Sequence, residues 1–284
     1  NALIERKGAL TGLVTTTGFR DAVEIGREHR YDMYDLRMER PEPLARRRHR
    51  YELAERVLAD GSVRHPFDEA EARALARRIA GDGIEAVAIS FLHAYANPDH
   101  EIAMERVLAE EAPHIAVTRS SELSPEIREY DRTSTTLANV YVKPIAEGYL
   151  ARLAERLRDE LAIPGALYIM QSNGGLAEVG TARRFPIRLV ESGPAAGALA
   201  AAHFGAALGE ADLLSFDMGG TTAKACVIVE GRPLVAPDFE VDRRYRFKKG
   251  SGLPVKVPVI EMIEIGTGGG SIARTDALGR LAVG

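Results

Sequence analysis

Residues 212–235 constrain the fold of this chain more than any other stretch. Leu213, Leu214, Ser215 and Phe216 form a short apolar run that ends in Asp217, and Met218-Gly219-Gly220-Thr221-Thr222 follows. Residues 225–229 are a second apolar, partly β-branched run, and Glu230-Gly231 turns the chain into Pro233-Leu234-Val235. The order is strand, glycine turn, strand. A Walker loop or a Rossmann fingerprint sets its glycines ahead of a helix, so that the helix N-terminus faces the phosphates. Here β-branched residues continue beyond the glycines, and neither GxGxxG nor the Walker pattern fits. A β-hairpin remains, with two readings. In one, turn amides and Thr hydroxyls surround phosphate oxygens: glycines admit close backbone approach, and consecutive N–H groups form an anion-binding concavity. Asp217 then binds Mg2+ directly or through water, since this ion favours oxygen ligands and keeps several waters. In the other, Gly219-Gly220 simply turn a hairpin and Asp217 is its polar flank.

The rest of the chain predicts strands alternating with helices. Residues 10–16 read as a buried strand broken by Thr17-Gly18. Residues 31–66, rich in Arg, Glu and Pro, read as an excursion with a short strand at Arg50-Tyr51-Glu52-Leu53 and a hairpin turn at Asp60-Gly61. Asp68 caps a helix that carries Leu75 and Ile79 on one face and is ended by Gly81 and Gly83. Residues 84–92 are a continuous apolar strand. Asn97-Pro98 opens the next helix, with Ile102, Met104, Val107 and Leu108 supplying its contacts. Residues 115–118 complete a pattern that predicts a mainly parallel sheet covered by helices. From about Ser124 the character changes. A helical region over residues 133–161 contains Pro144, which predicts a kink or a division. A strand over residues 167–170 runs into Gln171-Ser172-Asn173-Gly174-Gly175, and residues 194–208 are an alanine-rich helix.

Composition narrows the function classes. The 284 residues suffice for two ordinary domains or one large one. A net charge of -4 gives no reason to expect nucleic acid or an acidic membrane as partner. Arg46, Arg47, Arg48 and Arg50 form the only dense basic run, read as solvated surface. The single cysteine, Cys226, excludes an intrachain disulfide and a cysteine-rich metal cluster, and suits a cytoplasmic location. No stretch approaches the roughly 18–20 apolar residues of a membrane span. The N-terminal residues lack a signal-peptide pattern and an initiator Met, so the chain is expected to be processed or part of something longer.

The apolar-Asp-x-Gly-Gly-Thr hairpin resembles the second phosphate loop of the actin-like ATPases, which include sugar kinases and heat-shock chaperones. Just upstream, Glu191-Ser192-Gly193-Pro194-Ala195-Ala196-Gly197-Ala198 is similar to the first connecting motif of that superfamily, where a proline and small residues let two helices cross closely. In the chaperones an acidic residue precedes the proline; here Gly193 does, and Glu191 lies two residues further upstream. The resemblance then narrows. Residues 1–9, Thr17-Gly18-Phe19-Arg20-Asp21 and Leu92-His93-Ala94-Tyr95-Ala96-Asn97-Pro98 resemble the hydantoinase A/5-oxoprolinase family. So do Glu129-Tyr130-Asp131-Arg132-Thr133-Ser134-Thr135-Thr136, Met170-Gln171-Ser172-Asn173-Gly174-Gly175, Phe216-Asp217-Met218-Gly219-Gly220-Thr221 and residues 266–273.

That resemblance implies an α/β chain of actin-like (ribonuclease H-like) lobes, with mixed sheets flanked by helices and ATP and Mg2+ between two lobes. It implies an N-terminal region over residues 1–122 and an actin-like lobe over residues 123–284. The implied chemistry is ATP-dependent opening of a cyclic amide, hydantoin or 5-oxoproline, through phosphorylation of a carbonyl oxygen. A ketone carboxylase subunit is the nearest alternative, and a non-catalytic nucleotide-binding scaffold comes from another class. A hydantoinase B-like subunit or domain is the implied partner, and a homo-oligomer is compatible. Asp217 is the catalytic and metal-side candidate. Gly219, Gly220, Thr221, Thr222, Lys224, Gly268, Gly269 and Gly270 are the cofactor-binding candidates. Asn173, Arg132 and Ser134 are the substrate-binding ones.

Several of these residues keep a second reading. Many family members carry Thr-Ser-Thr-Asp where this chain has Thr221-Thr222-Ala223-Lys224, so a metal-side carboxylate is exchanged for a cation. Lys224 either contacts a phosphate as a point charge or lies on the hairpin surface. Gly266, Gly268, Gly269, Gly270 and Ser271 either bring amides to a ligand or make a tight crossing. Arg132, Thr133, Ser134 and Thr135 line a pocket or start a helix, and Asn173 contacts a ligand or turns the chain. His93 and Cys226 lie in apolar segments and are expected in the core. Members of the family also have a first phosphate loop upstream of where this sequence starts. Part of the phosphate clamp is therefore expected to lie outside it, and the isolated chain is expected to be inactive.

Overall fold

The computed structural model describes residues 2–28, 30–220, 222–245 and 248–283. Along the chain run β1 (Thr11–Thr16), α1 (Ala22–Ile25), β2 (Arg50–Leu53), β3 (Arg56–Val57), β4 (Val63–His65), α2 (Glu69–Gly81), β5 (Ala86–Ser90), α3 (Asp99–Glu111), β6 (Ala116–Arg119), α4 (Ser120–Leu123) and α5 (Glu129–Glu155). Next come β7 (Tyr168–Met170), β8 (Leu176–Glu178), α6 (Val179–Arg184), α7 (Ser192–Leu208), β9 (Leu213–Met218), β10 (Ala223–Val229), β11 (Arg232–Pro233) and β12 (Val235–Ala236). The remaining strands are β13 (Phe239–Val241), β14 (Leu253–Val255), β15 (Val259–Ile260), β16 (Ile263–Ile265), β17 (Ala273–Thr275) and β18 (Leu281–Val283). The chain forms two compact units. The first holds Asn1–Leu167, Glu178–Ile187 and Asp238–Val257; the second holds Tyr168–Ala177, Arg188–Pro237 and Pro258–Gly284.

The first unit is built on a parallel sheet in the order β2-β1-β5-β6. All residues of β1 and β5 are buried, as a parallel sheet covered on both faces requires. Side chains alternate across it. Val87 and Ile89 join Leu75 and Ile79 of α2 and Met104 and Leu108 of α3 in one cluster. Ala86 and Ala88 point the other way, toward Leu137 and Val140 of α5. Small side chains on that face let α5 come close enough for Ser90 Oγ to lie 2.8 Å from Thr133 Oγ1.

Two helices start as expected, with one correction of register, while α5 begins at Glu129, ahead of the expected 133, so that Arg132, Thr133, Ser134 and Thr135 lie inside it and do not start it. Asp68 caps α2, accepting from the amides of Ala70 (2.8 Å) and Glu71 (3.1 Å). Before α3, Asn97 Oδ1 accepts from Asp99 N at 3.0 Å, and Pro98 takes the cap position. Ile102, expected as a contact, is 46% exposed. The buried face of α3 runs through Glu101, Met104 and Leu108, spaced three and four apart, and Ile102 falls beside it. α5 passes through Pro144 undivided. A proline removes one intrahelical bond, and buried Leu137, Val140, Tyr141 and Leu150 hold the turns on either side.

The basic run is not uniformly solvated. Arg46, Arg47 and Arg48 are exposed, but the Arg50 side chain is buried at the start of β2. It donates to Ala45 O at 2.9 Å and pairs with Glu24 at 2.9 Å and Asp21 at 3.5 Å. Those acceptors come from a segment distant in sequence, and they satisfy a guanidinium that burial would otherwise penalise.

In the second unit β9 and β10 form the expected antiparallel hairpin, from Leu213 opposite Ile228 to Met218 opposite Ala223. β11 and β16 pair with β10 on its other side. α7 packs on one face, where Ala195 and Ala198 meet Cys226 and Ile260. It sits close because Gly205 has no side chain: a Cβ there would overlap Leu213 Cδ1 and come within 2.9 Å of Glu210 O. Among the described residues, no helix is long and apolar enough to cross a membrane.

Candidate functional site

The hairpin turn is braced by the glycine-rich segment downstream. Gly219 N donates to Thr222 O at 2.9 Å and closes the turn. Gly269 N then donates to Gly219 O at 2.9 Å, and Gly270 N to Gly220 O at 3.0 Å. Gly268 N meets Ser271 Oγ at 3.2 Å. A Cβ on Gly270 would lie 3.1 Å from Gly220 O, so a side chain there would press the two segments apart by a few tenths of an ångström. Of the two readings of this segment, the tight crossing is the one observed: the amides of residues 268–270 serve the protein. Their effect is to fix the hairpin turn from behind.

Asp217, Lys224 and Glu264 stand in one cross-strand row on β9, β10 and β16. Asp217 is exposed at the strand end. Lys224 is largely covered, with 14% of its side chain exposed. Its ammonium pairs with Glu191, the residue before α7, and lies 3.9 Å from Glu264. Glu191 reaches it from a left-handed backbone conformation, φ 65°. Lys224 is therefore neither a free point charge nor a loose surface lysine: a carboxylate already engages it. The sequence raised no such link, because the two residues lie 33 apart. Gly219, Gly220 and Thr222 surround the turn, and Thr221 lies outside the described residues.

The other candidates are dispersed. Asn173 is exposed in the turn between β7 and β8, where its Oδ1 accepts from Gly175 N at 2.9 Å, a local Asx turn. Its neighbour Ser172, not singled out by sequence, is buried and donates to Arg188 O at 2.9 Å. Arg132 and Ser134 are interior residues of the first unit, 1% and 5% exposed. Arg132 donates to Phe91 O at 2.5 Å and Glu126 O at 3.3 Å, and its guanidinium lies 5.6 Å from the centre of the Tyr95 ring. His93 is only half-buried; its Nδ1 lies 2.9 Å from Val57 O. Cys226 is in the core as expected, and burial pushes its thiol above the usual range.

Among the described residues, no group of three His, Cys, Asp or Glu side chains is placed to hold a metal ion. A Mg2+ ion held by one carboxylate, waters and nucleotide phosphates needs no such group. The exposed Asp217 fits that mode.

The hydantoinase/oxoprolinase family model matches residues 132–284, and the model of the hydantoinase/oxoprolinase N-terminal region matches residues 1–112. The chain belongs to this family. An uncharacterized protein of Methanocaldococcus jannaschii is 43% identical over 96% of this chain and 40% of its own length. Caprolactamase subunit alpha of Pseudomonas jessenii is 35% identical over 100% of this chain and 40% of its own. The crystal structure of that ATP-dependent caprolactamase superposes with a TM-score of 0.82 at 34% identity. A nucleotide-free acetone carboxylase structure superposes at 0.81 and 25% identity, again over 100% of this chain and 40% of that one. The chain thus spans about 40% of the length of the relatives it matches. The mixed α/β, actin-like fold expected from the family is the fold found.

Proposed function

We propose that this chain supplies the phosphate-gripping hairpin of an ATP-dependent enzyme that opens a cyclic amide of the hydantoin, lactam or 5-oxoproline type. The observation that carries the reading is the β9–β10 turn, presented with an exposed Asp217 and pinned by Gly269 and Gly270. An amide carbonyl is a weak electrophile, and phosphorylating its oxygen makes ring opening by water accessible. The protein then has to position phosphates and offset their charge. Turn amides and hydroxyls at Gly220, Thr221 and Thr222 would hold the phosphates, with Gly219 shaping the turn through its own bond to Thr222 O, and Asp217 would hold Mg2+, which neutralises phosphate charge when bound. Gly268, Gly269 and Gly270 would act indirectly, by keeping the turn rigid. Lys224 would act through Glu191, tying the hairpin to the start of α7. Asn173 would meet substrate through Nδ2, its Oδ1 being engaged, while the buried Arg132 and Ser134 would support the first unit.

A partner subunit of the hydantoinase B type fits the naming of the caprolactamase relative as a subunit. The family matches, which end at residue 112 and resume at 132, support a division of inherited segments near residue 122. A cytoplasmic location is the reading favoured by the lone, buried Cys226. The second reading is ketone carboxylation, favoured by the superposition on acetone carboxylase; there the phosphorylated oxygen would be that of an enolate.

The deciding experiment uses the full-length protein with its partner. ATP hydrolysis dependent on a lactam, hydantoin or oxoproline, and lost in Asp217→Ala, is the expected result. Turnover that requires a ketone and bicarbonate instead would establish the carboxylase. Nucleotide binding with no turnover on either class would make the chain a scaffold.

A further inference from the structure

A recess of about 350 Å³ in the first unit takes no part in the function proposed above. Its volume suits a small molecule. Its lining includes the apolar Val23, Pro41, Pro43 and Pro254 together with Tyr130 and Arg40. These two polar groups converge. A Cβ built on Gly26 would lie 3.5 Å from Arg40 Nη1 and 3.5 Å from Tyr130 Cζ. Gly26 has φ 63°, a conformation that favours glycine and so keeps the space open.

Most of the charges at the recess are paired within the protein. Glu24 pairs with Arg50, Glu240 with Arg243, and Asp131 with Arg27. Glu240 also accepts the amides of Gly250 (2.7 Å) and Gly252 (3.3 Å), which holds the β13–β14 segment in place. Glu42 and Arg40 both line the recess and are both exposed. Arg40 is different: through Nη1 it donates to the carbonyl oxygens of Glu24 (3.2 Å) and Ile25 (2.5 Å), and among the described residues no carboxylate pairs with it. Its other N–H groups retain the fork geometry that matches a carboxylate. Burial, and then the Asp131 carboxylate, push the Tyr130 phenol above its usual range, so it stays a proton donor at neutral pH. Behind Tyr130, Val23 and Pro43 a smaller recess continues to Ser134.

We propose that this recess binds a small aliphatic monocarboxylate, its anion on Arg40 and the Tyr130 hydroxyl and its alkyl body against Pro41, Pro43 and Pro254. Every residue in the recess belongs to the first unit, and the hairpin to the second.

The test titrates the full chain with hexanoate, and separately with ATP, by calorimetry. Hexanoate should bind, with affinity falling by at least about tenfold in Arg40→Met and about threefold in Tyr130→Phe, as losing a charged and a neutral hydrogen bond implies. ATP affinity should be the same in both variants. Tyr130→Phe keeps the ring and its packing, so it decides the matter even where Arg40→Met loosens α1. Caprolactam, with a similar body and no charge, should bind at least about tenfold more weakly than hexanoate. The proposal is overturned if the wild-type chain does not bind hexanoate or if both variants bind it unchanged. It is equally overturned if caprolactam or inorganic phosphate binds as well.

Discussion

The two units bury their sheets differently. In the first, β5 is covered on both faces, and its residues divide into an alanine side under α5 and a Val/Ile side under α2 and α3. In the second, α7 covers one side of β9, and among the described residues Leu214, Phe216 and Met218 on the other are 66%, 56% and 53% exposed. The first unit therefore draws its stability from broad apolar burial, which tolerates a local loss. The hairpin of the second rests on a few particular contacts: Gly205 against Leu213, Lys224 with Glu191, and two glycine amides on the turn. The sheet proposed to grip phosphates at its turn is the one held by small, specific interactions, and substitutions should separate the two cases.

The largest effect should come from Asp217→Ala in the full-length enzyme. Losing the proposed anchor of a cation that offsets transition-state charge costs on the order of 100- to 1,000-fold in turnover. Asp217 is exposed, so the thermal midpoint should hardly change. A parallel fall in stability and turnover would show that the residue supports the fold instead.

Next is a matched pair of glycines. A Cβ at Gly205 would strike Leu213 and the backbone oxygen of Glu210, and one at Gly8 would strike the ring of Tyr141. Overpacking of this kind costs about 1–3 kcal/mol, so both Gly205→Ala and Gly8→Ala should lower the urea midpoint. Only Gly205→Ala should also weaken ATP binding, because its strain falls on β9. Equal loss of nucleotide affinity in the two variants would erase the distinction between the units.

How much of this was legible in the sequence follows the same division. Local patterns carried far: an apolar run, paired glycines and a second run gave the hairpin, and capping residues at Asp68 and Asn97 placed two helices. What sequence could not give depended on partners distant along the chain. Arg50 reads as surface until Asp21 and Glu24 are known to converge on it. The glycines at 268–270 look like ligand amides until Gly219 and Gly220 take two of them. Arg40 and Tyr130 share no motif, and only the fold brings them to the lining of one recess.

Lys224→Asp should have a smaller effect. It would place a fourth carboxylate beside Asp217, Glu191 and Glu264. Like charges facing each other across strands cost up to about 1 kcal/mol per pair, so a loss of about 1–2 kcal/mol is expected. Adding Glu191→Lys to it should recover part of that loss, and a double-mutant cycle reads the coupling directly. No coupling would mean that the hairpin stands without its tie to α7.

The smallest predicted effect is a slope, and it belongs to the first unit. Lys143 of α5 lies beside Pro144, and its ammonium donates to Val117 O at 2.7 Å. Burial pushes the Lys143 ammonium below the usual lysine range, while Glu147, Glu105 and Glu122 pull it back and Arg184 adds to the fall. In the unfolded chain the group titrates near 10.4, about the ordinary lysine value. Between the folded and unfolded values the unfolded chain holds more protons, so stability rises with pH across that window. Below the folded value the penalty of burying the charge is fully present. Above the unfolded value it is gone. Lys143→Met should remove this slope, and the wild-type urea midpoint should therefore improve relative to the variant as the buffer moves from pH 7 to pH 10.5. A constant difference between the two proteins would mean that Lys143 stays as hydrated in the folded chain as in the unfolded one.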